Sequence, residues 1–220
     1  LELPVPNGRD QQRGFLGRVE APPRPMIAPS LDGAPIALRY EAVAHDLAAE
    51  AGAIRELLPV DLDADGRLDL VLLGDDGAFI ARQQDGATFS VTRVASGRFD
   101  HVAAGDIANW GRSSLLLLGS GPPVLLAPDL DLDYRPVDLP IAQARAAVFV
   151  DYDHEGDLDL VIAAPDGVHL WRNDGLEGEP TADLSERVRF ADATAESGVP
   201  AIGCDWLAVE DFDNDRDIDL

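Results

Sequence analysis

The sequence predicts an all-β protein assembled from repeated four-stranded antiparallel sheets, and three observations carry that expectation. From about Ile54 onward, apolar runs of four to seven residues alternate with turns marked by Asp-Gly, Asn-Asp-Gly or Gly-Pro-Pro, the grammar of strands and hairpins. An acidic block recurs, reading VDLDADGRLDLVLLG at 60–74, VDYDHEGDLDLVIAA at 150–164 and EDFDNDRDIDL at 210–220, with a worn copy, GDIANWGRSSLLLLG, at 105–119. The leading aspartates Asp61, Asp106, Asp151 and Asp211 are separated by 45, 45 and 60 residues. Repeats of about 40–50 residues that each hold several strands are the signature of β-propeller blades.

Taken in order, residues 1–39 are rich in Pro and Gly and read as a linker or extended lead-in. Tyr40 to Gly52 carries good helix formers and ends on glycine, which suits a short helix. Residues 40–220 then form the propeller segment, with blades at about 54–97, 98–144 and 145–204 and a partial one at 205–220. In the first blade, Ile54–Val60 is a strand that leads into the acidic loop. Leu68–Gly74, Ala78–Gln83 and Ala87–Val94 follow as strands, separated by Asp75-Asp76-Gly77 and Asp85-Gly86. Gly accepts positive φ in such turns without a Cβ clash. The block at 145–191 repeats this plan, with turns at Pro165-Asp166-Gly167 and Asn173-Asp174-Gly175. An extra stretch, Leu176–Glu186, accounts for much of its longer spacing. A second similarity links AAEAGA at 48–53 to TAESGV at 194–199.

Composition narrows the function. The chain of 220 residues has 41 acidic residues against 17 basic ones, a net charge of −24. Nucleic acid and anionic membrane surfaces would be repelled by such a surface. The basic residues are all Arg, which reads as compositional bias. Cys204 is the single cysteine, so no internal disulfide forms. No apolar run is long enough to span a membrane.

The distribution of the aspartates gives the excess charge a purpose. The first loop, Asp61-x-Asp63-x-Asp65-Gly66-x-x-Asp69, sets carboxylates at positions 1, 3, 5 and 9. A hard cation such as Ca²⁺ takes 6–8 oxygens at roughly 2.3–2.6 Å, and alternate side chains of a tight turn can converge on one point. Gly at position 6 permits the bend, and the backbone carbonyl of position 7, Arg67, is a natural further ligand. The third loop repeats the set with Asp151, Asp153, Glu155, Asp157 at position 7 and Asp159. The fourth has Asp211, Asp213, Asp215, Asp217 at position 7 and Asp219, with Arg216 in place of the glycine. Two to three Ca²⁺ sites are expected. Solvated acidic turns without an ion are the alternative; four carboxylates in nine residues repel one another strongly without a cation, and the pattern recurs in register. An EF-hand is excluded, because position 12 is Leu72 or Ile162 instead of Glu and the flanks are strand-like. The worn copy keeps Asp106 and Gly111 but has Ala108, Trp110 and Ser114 at positions 3, 5 and 9. It is expected to be metal-free, and Asp106 to matter much less than Asp63 or Asp153.

These residues resemble a known family. DLDADGRLDLVLL, DYDHEGDLDLVIA and DFDNDRDIDL are similar to the FG-GAP/VCBS repeats of integrin-type β-propellers. Arg189-Phe190-Ala191-Asp192-Ala193-Thr194-Ala195-Glu196-Ser197-Gly198-Val199, with Leu170-Trp171-Arg172-Asn173-Asp174-Gly175 before it, resembles bacterial members related to the ASPIC/UnbV and cartilage-acidic-protein group. The resemblance covers about residues 40–220. It implies a propeller, often seven-bladed, in an exported protein, with Ca²⁺ in inter-strand loops. The ASPIC/UnbV domain has no counterpart in these residues, so no role tied to it is carried over.

Catalytic patterns are not evident. His45, His101, His154 and His169 form no metal-ligand spacing, and no GxSxG, P-loop or GxGxxG context occurs. Trp110, Trp171 and Trp206 suit core or inter-blade packing better than a sugar-binding face. The expected function is non-catalytic: a calcium-binding propeller module, extracellular, on a cell surface or in the periplasm, that binds a protein or glycan ligand or serves cell adhesion. A propeller portion of an exported enzyme, such as a polysaccharide lyase, and a structural subunit of a larger assembly are the alternatives. At about 45 residues per blade, seven blades need on the order of 300 residues. The remaining blades are therefore expected C-terminally in the same polypeptide or in a partner chain.

Overall fold

The computed structural model describes residues 47–85, 88–174, 188–199 and 202–210. The lead-in at 1–39, His45, the extra stretch 176–186 and the fourth acidic loop with Asp211, Asp213, Asp215, Asp217 and Asp219 lie outside them. The described residues are all-β apart from two one-turn helices. Twelve strands form three four-stranded antiparallel sheets, each a meander of consecutive strands. The first sheet is β1 (Glu56–Val60), β2 (Asp69–Leu73), β3 (Gly77–Gln84) and β4 (Thr88–Ser96). The second is β5 (Phe99–Gly105), β6 (Ser114–Gly119), β7 (Val124–Pro128) and β8 (Tyr134–Val137). The third is β9 (Ala146–Val150), β10 (Asp159–Ala164), β11 (Gly167–Asn173) and β12 (Phe190–Asp192). No closed ring of sheets is present among the described residues.

The second strand of each sheet explains the apolar runs in the sequence. β2, β6 and β10 sit between two partner strands and are buried along almost their whole length. A strand covered on both faces needs no polar alternation. Its period of two instead divides its side chains between two cores. Val71 and Leu73 of β2, with Ile80 of β3, pack against Leu115 and Leu117 of β6. The alternate residues Leu116 and Leu118 of β6 pack the other way, against Leu160 and Ile162 of β10. Val161 of β10 faces a further cluster with Val150, Val168 and Leu170, over which Cys204, Leu207 and Val209 lie. Each sheet is thus glued to the next through its middle. β1 lies beside β5, and β5 beside β9, so the first strands of successive sheets are neighbours. The outer strands alternate in burial, as β4 shows, because only one face is covered.

The one-turn helices account for the second sequence similarity. α1 (Ala48–Ala51) precedes the first sheet, and α2 (Thr194–Ser197) follows the third. Each ends on a glycine in the left-handed region, Gly52 at φ 70° and Gly198 at φ 74°, which is the usual helix stop. Of the helix expected over Tyr40–Gly52, the last turn is present, and residues 40–46 lie outside the described set. α1 caps the β2–β3 hairpin: the Asp75 N–H donates to Ala51 O at 3.2 Å, and the Ala53 N–H donates to Asp75 Oδ2 at 3.0 Å.

Candidate metal centres

Three loops join a first strand to a second: 61–68 between β1 and β2, 106–113 between β5 and β6, and 151–158 between β9 and β10. They have the same backbone. Position 4 is left-handed in all three, at Ala64 (φ 59°), Asn109 (φ 55°) and His154 (φ 61°). Position 6 is left-handed as well, at Gly66, Gly111 and Gly156. The bend therefore needs two residues of positive φ, one of which is not glycine. The aspartate at position 1 holds the turn. Asp61, Asp106 and Asp151 each accept the N–H of the position-6 glycine through Oδ2, at 2.9, 2.5 and 3.1 Å.

That shared bond gives Asp106 a structural part in the second loop that its spacing alone does not show. Asp106 is not a relic, since it also accepts the Trp110 N–H at 3.0 Å. It organises the turn whether or not a cation is there.

Position 9 opens the second strand and is buried. Asp69 is 4% exposed, Ser114 1% and Asp159 0%. Each of the two aspartates is pinned by the third strand of its own sheet. The Gln83 N–H donates to Asp69 Oδ1, and the Asn173 N–H to Asp159 Oδ1, both at 2.8 Å. The Tyr152 N–H reaches Asp159 Oδ2 at 2.7 Å. Asn173 does more, because its Nδ2 donates to Ile107 O at 2.8 Å and so ties the third loop's support to the second loop. The first and second loops are tied by Ser113 N–H to Leu62 O at 3.0 Å. Leu62 and Ile107, both at position 2, plug the two inter-sheet cores.

Two carboxylate clusters result among the described residues. Asp61, Asp63 and Asp65 bring one oxygen each within 4.8 Å of one another, and so do Asp151, Asp153 and Asp159. Either group could hold a metal ion. Asp69 in the first loop, and Glu155 and Asp157 in the third, stand outside these closest sets. Asp69 Oδ2, Asp151 Oδ1 and Asp157 Oδ1 are nevertheless buried with no hydrogen-bond partner. Buried carboxylate oxygens are ordinarily satisfied, so three such oxygens in two loops have room for a further partner, a water or a cation. Burial pushes the Asp69, Asp157 and Asp159 carboxyls up, and the charge of neighbouring aspartates adds to it: Asp63 and Asp65 for Asp69, Asp153 and Asp151 for Asp157, Asp153 and Asp157 for Asp159. A divalent cation reverses that balance, since it favours the charged form. The second loop, with one carboxylate, forms no such cluster.

The spacing makes Arg67 a candidate ligand through its backbone carbonyl. Its side chain has a separate part: the guanidinium pairs with Asp65 and with Asp85, the latter at 3.0 Å. Gln83 and Asn173 were not singled out as supports, because a third-strand residue that braces a loop through its backbone N–H leaves no trace in the sequence. The other candidates fall elsewhere. His101 Nδ1 lies 3.2 Å from Glu56 Oε2, and His169 Nε2 lies 3.1 Å from Asp166 Oδ1. Trp110 and Trp171 pack against the core between the second and third sheets, whereas Trp206 is exposed. No helix among the described residues is long and apolar enough to cross a membrane. No protein-family model matches the chain, and no curated protein matches it significantly.

Proposed function

We propose that this chain is a segment of calcium-binding β-propeller, a non-catalytic module that presents its loops to a protein or glycan ligand outside the cell or in the periplasm. The observation that carries the calcium reading is the set of buried, unpartnered carboxylate oxygens in the two loops whose side chains converge. Their donors are all oxygen, which suits a hard cation and not zinc or copper. Carboxylates spread along a flexible nine-residue turn suit the larger, less regular shell of Ca²⁺ better than the strict octahedron of Mg²⁺.

The propeller reading is supported by the meander in each sheet, by first strands that neighbour one another, and by the 45-residue spacing. Such a succession of four-stranded sheets is what blades repeated around an axis would require. The FG-GAP/VCBS-like motifs agree with both readings. The acidic surface favours ligands that are neutral, basic or bridged by the ion.

Chelation tests the calcium reading. Excess EDTA should lower the melting temperature, Ca²⁺ should restore it, and Mg²⁺ should restore it poorly. A melting curve unchanged by EDTA would overturn the reading.

A further inference from the structure

We propose that Arg67 is a built-in counter-ion of the first loop, so that the two cation loops fill in sequence, 151–159 at low free calcium and 61–69 only at higher calcium. This rests on the calcium reading above.

Position 7 is where the two loops differ most in charge. The first loop has Arg67 there among four carboxylates, Asp61, Asp63, Asp65 and Asp69; the third has Asp157 among five, Asp151, Asp153, Glu155, Asp157 and Asp159. Arg67 turns back on its own loop. Its backbone N–H donates to Asp65 Oδ1 at 2.8 Å, and its Nη2 donates to Asp65 Oδ2. Nη1 is anchored on Asp85 at the β3–β4 turn, at 3.0 Å. Both oxygens of Asp65 are therefore engaged, and a calcium ion that takes Asp65 competes with a guanidinium for its charge. The same loop carries an independent sign of an unmet ligand: Asp69 is 4% exposed, it is held by the Gln83 N–H and more loosely by the Leu62 N–H, its Oδ2 is left short of a well-formed hydrogen bond, and it lies close enough to Asp63 and Asp65 to feel their charges.

In the third loop the corresponding residue does the opposite. Asp157 adds a carboxylate whose Oδ1 is buried and unpartnered, as is Asp151 Oδ1. Arg172, which feels the charge of Asp153, is turned to Asp174 at 2.9 Å and Glu196 at 3.4 Å. It is a neighbour of Asp153 and not a plug. One loop thus meets calcium with its charge partly cancelled, and the other with its charge in full. Calcium affinity follows ligand charge and rigidity, so the order of filling follows.

The test is calcium titration of the whole 220-residue chain by calorimetry, with D63N and D153N to assign events to loops. The expected result is that D153N abolishes the tighter event and D63N a weaker one. R67Q should tighten the event that D63N abolishes, by up to about fivefold, the span of an exposed ion pair. R67K keeps the charge and should stay close to the parent, which separates charge from shape. If R67Q leaves that event unchanged or weaker, or if the first-loop event is the tighter one in the parent, the counter-ion role is wrong while the calcium reading stands. If neither D63N nor D153N removes any calcium event, the calcium reading fails and this proposal with it.

Discussion

The loops at 106–114 and 151–159 have the same shape and opposite chemistry. Both turn through left-handed residues at positions 4 and 6, both close an aspartate on the position-6 N–H, and both bury position 9 at the start of a strand. Only the second of them collects carboxylates at positions 3, 5 and 7. The difference teaches that the turn and the ion site are separable. Backbone geometry rests on position 1, which both loops keep, whereas the carboxylates at positions 3 and 9 that complete the Asp151, Asp153 and Asp159 cluster have no counterpart in the 106–114 loop. The sheets behind the two loops are equally well packed, with Leu115–Leu118 and Leu160–Ile162 fully or almost fully buried. The packing of the sheet thus does not depend on carboxylates in the loop ahead of it, and an ion bound there would be an addition to that packing.

The largest expected effect is at the residue where turn, sheet and cation meet. Asp159→Ala removes the acceptor of two backbone N–H groups and a cluster member. Hydrogen bonds to a buried charge are worth about 1.5–3 kcal/mol each, so a loss of about 3 kcal/mol is expected in urea unfolding, most of it persisting in EDTA. A loss seen only with calcium would mean that Asp159 has no part in the turn.

Asp153→Asn comes next and sharpens the contrast. It should forfeit the stabilisation of a bound ion, about 2.7 kcal/mol at a hundredfold excess over the dissociation constant, and cost little once EDTA is present. Asp106→Ala follows, at about 1–2 kcal/mol for the lost Trp110 and Gly111 bonds, equal with and without calcium. Equal responses of D153N and D106A to EDTA would erase the distinction between the loops.

The smallest effect is on pH. Asp69, Asp157 and Asp159 have raised values in the folded chain, so the folded state holds protons that the unfolded state releases first. Without a cation, stability is greatest below the unfolded value near 4 and is lost as pH rises through the raised folded values. Asp129 runs the other way. Burial, the largest single influence, would raise it, but the N–H groups of Asp133 and Asp131 and the Arg135 guanidinium together hold it below its ordinary value. Its contribution is present above about 4 and fades only below that. In EDTA, melting temperature should therefore rise modestly as pH falls from 7 toward 4.5. Saturating calcium should flatten or invert that slope, because protons then compete with the ion.

How much of this was legible in the sequence depends on how local its cause is. The strands and hairpins were, because Leu70–Leu73 and Leu160–Ala164 are apolar runs bounded by turn residues. The expected strand Ile54–Val60 is observed as Glu56–Val60, and Leu68–Gly74 as Asp69–Leu73. The clusters at Asp61, Asp63 and Asp65 and at Asp151, Asp153 and Asp159 followed from spacing, since alternate residues of a turn converge. What could not be read came from elsewhere in the chain. Asn173 reaches Ile107 across 66 positions, and the Arg67 side chain finds Asp85 across 18. The structural part of Asp106 was hidden for another reason: a carboxylate that binds backbone N–H and one that binds a cation are the same letter.

The comparison is tested most directly by the calcium-induced rise in melting temperature, measured side by side for the parent chain, D106A and D153N. D106A should start lower but keep the parent's full rise, while D153N should lose much of it. A rise lost in D106A, or kept intact in D153N, would show that the loop at 151–159 is not the cation site.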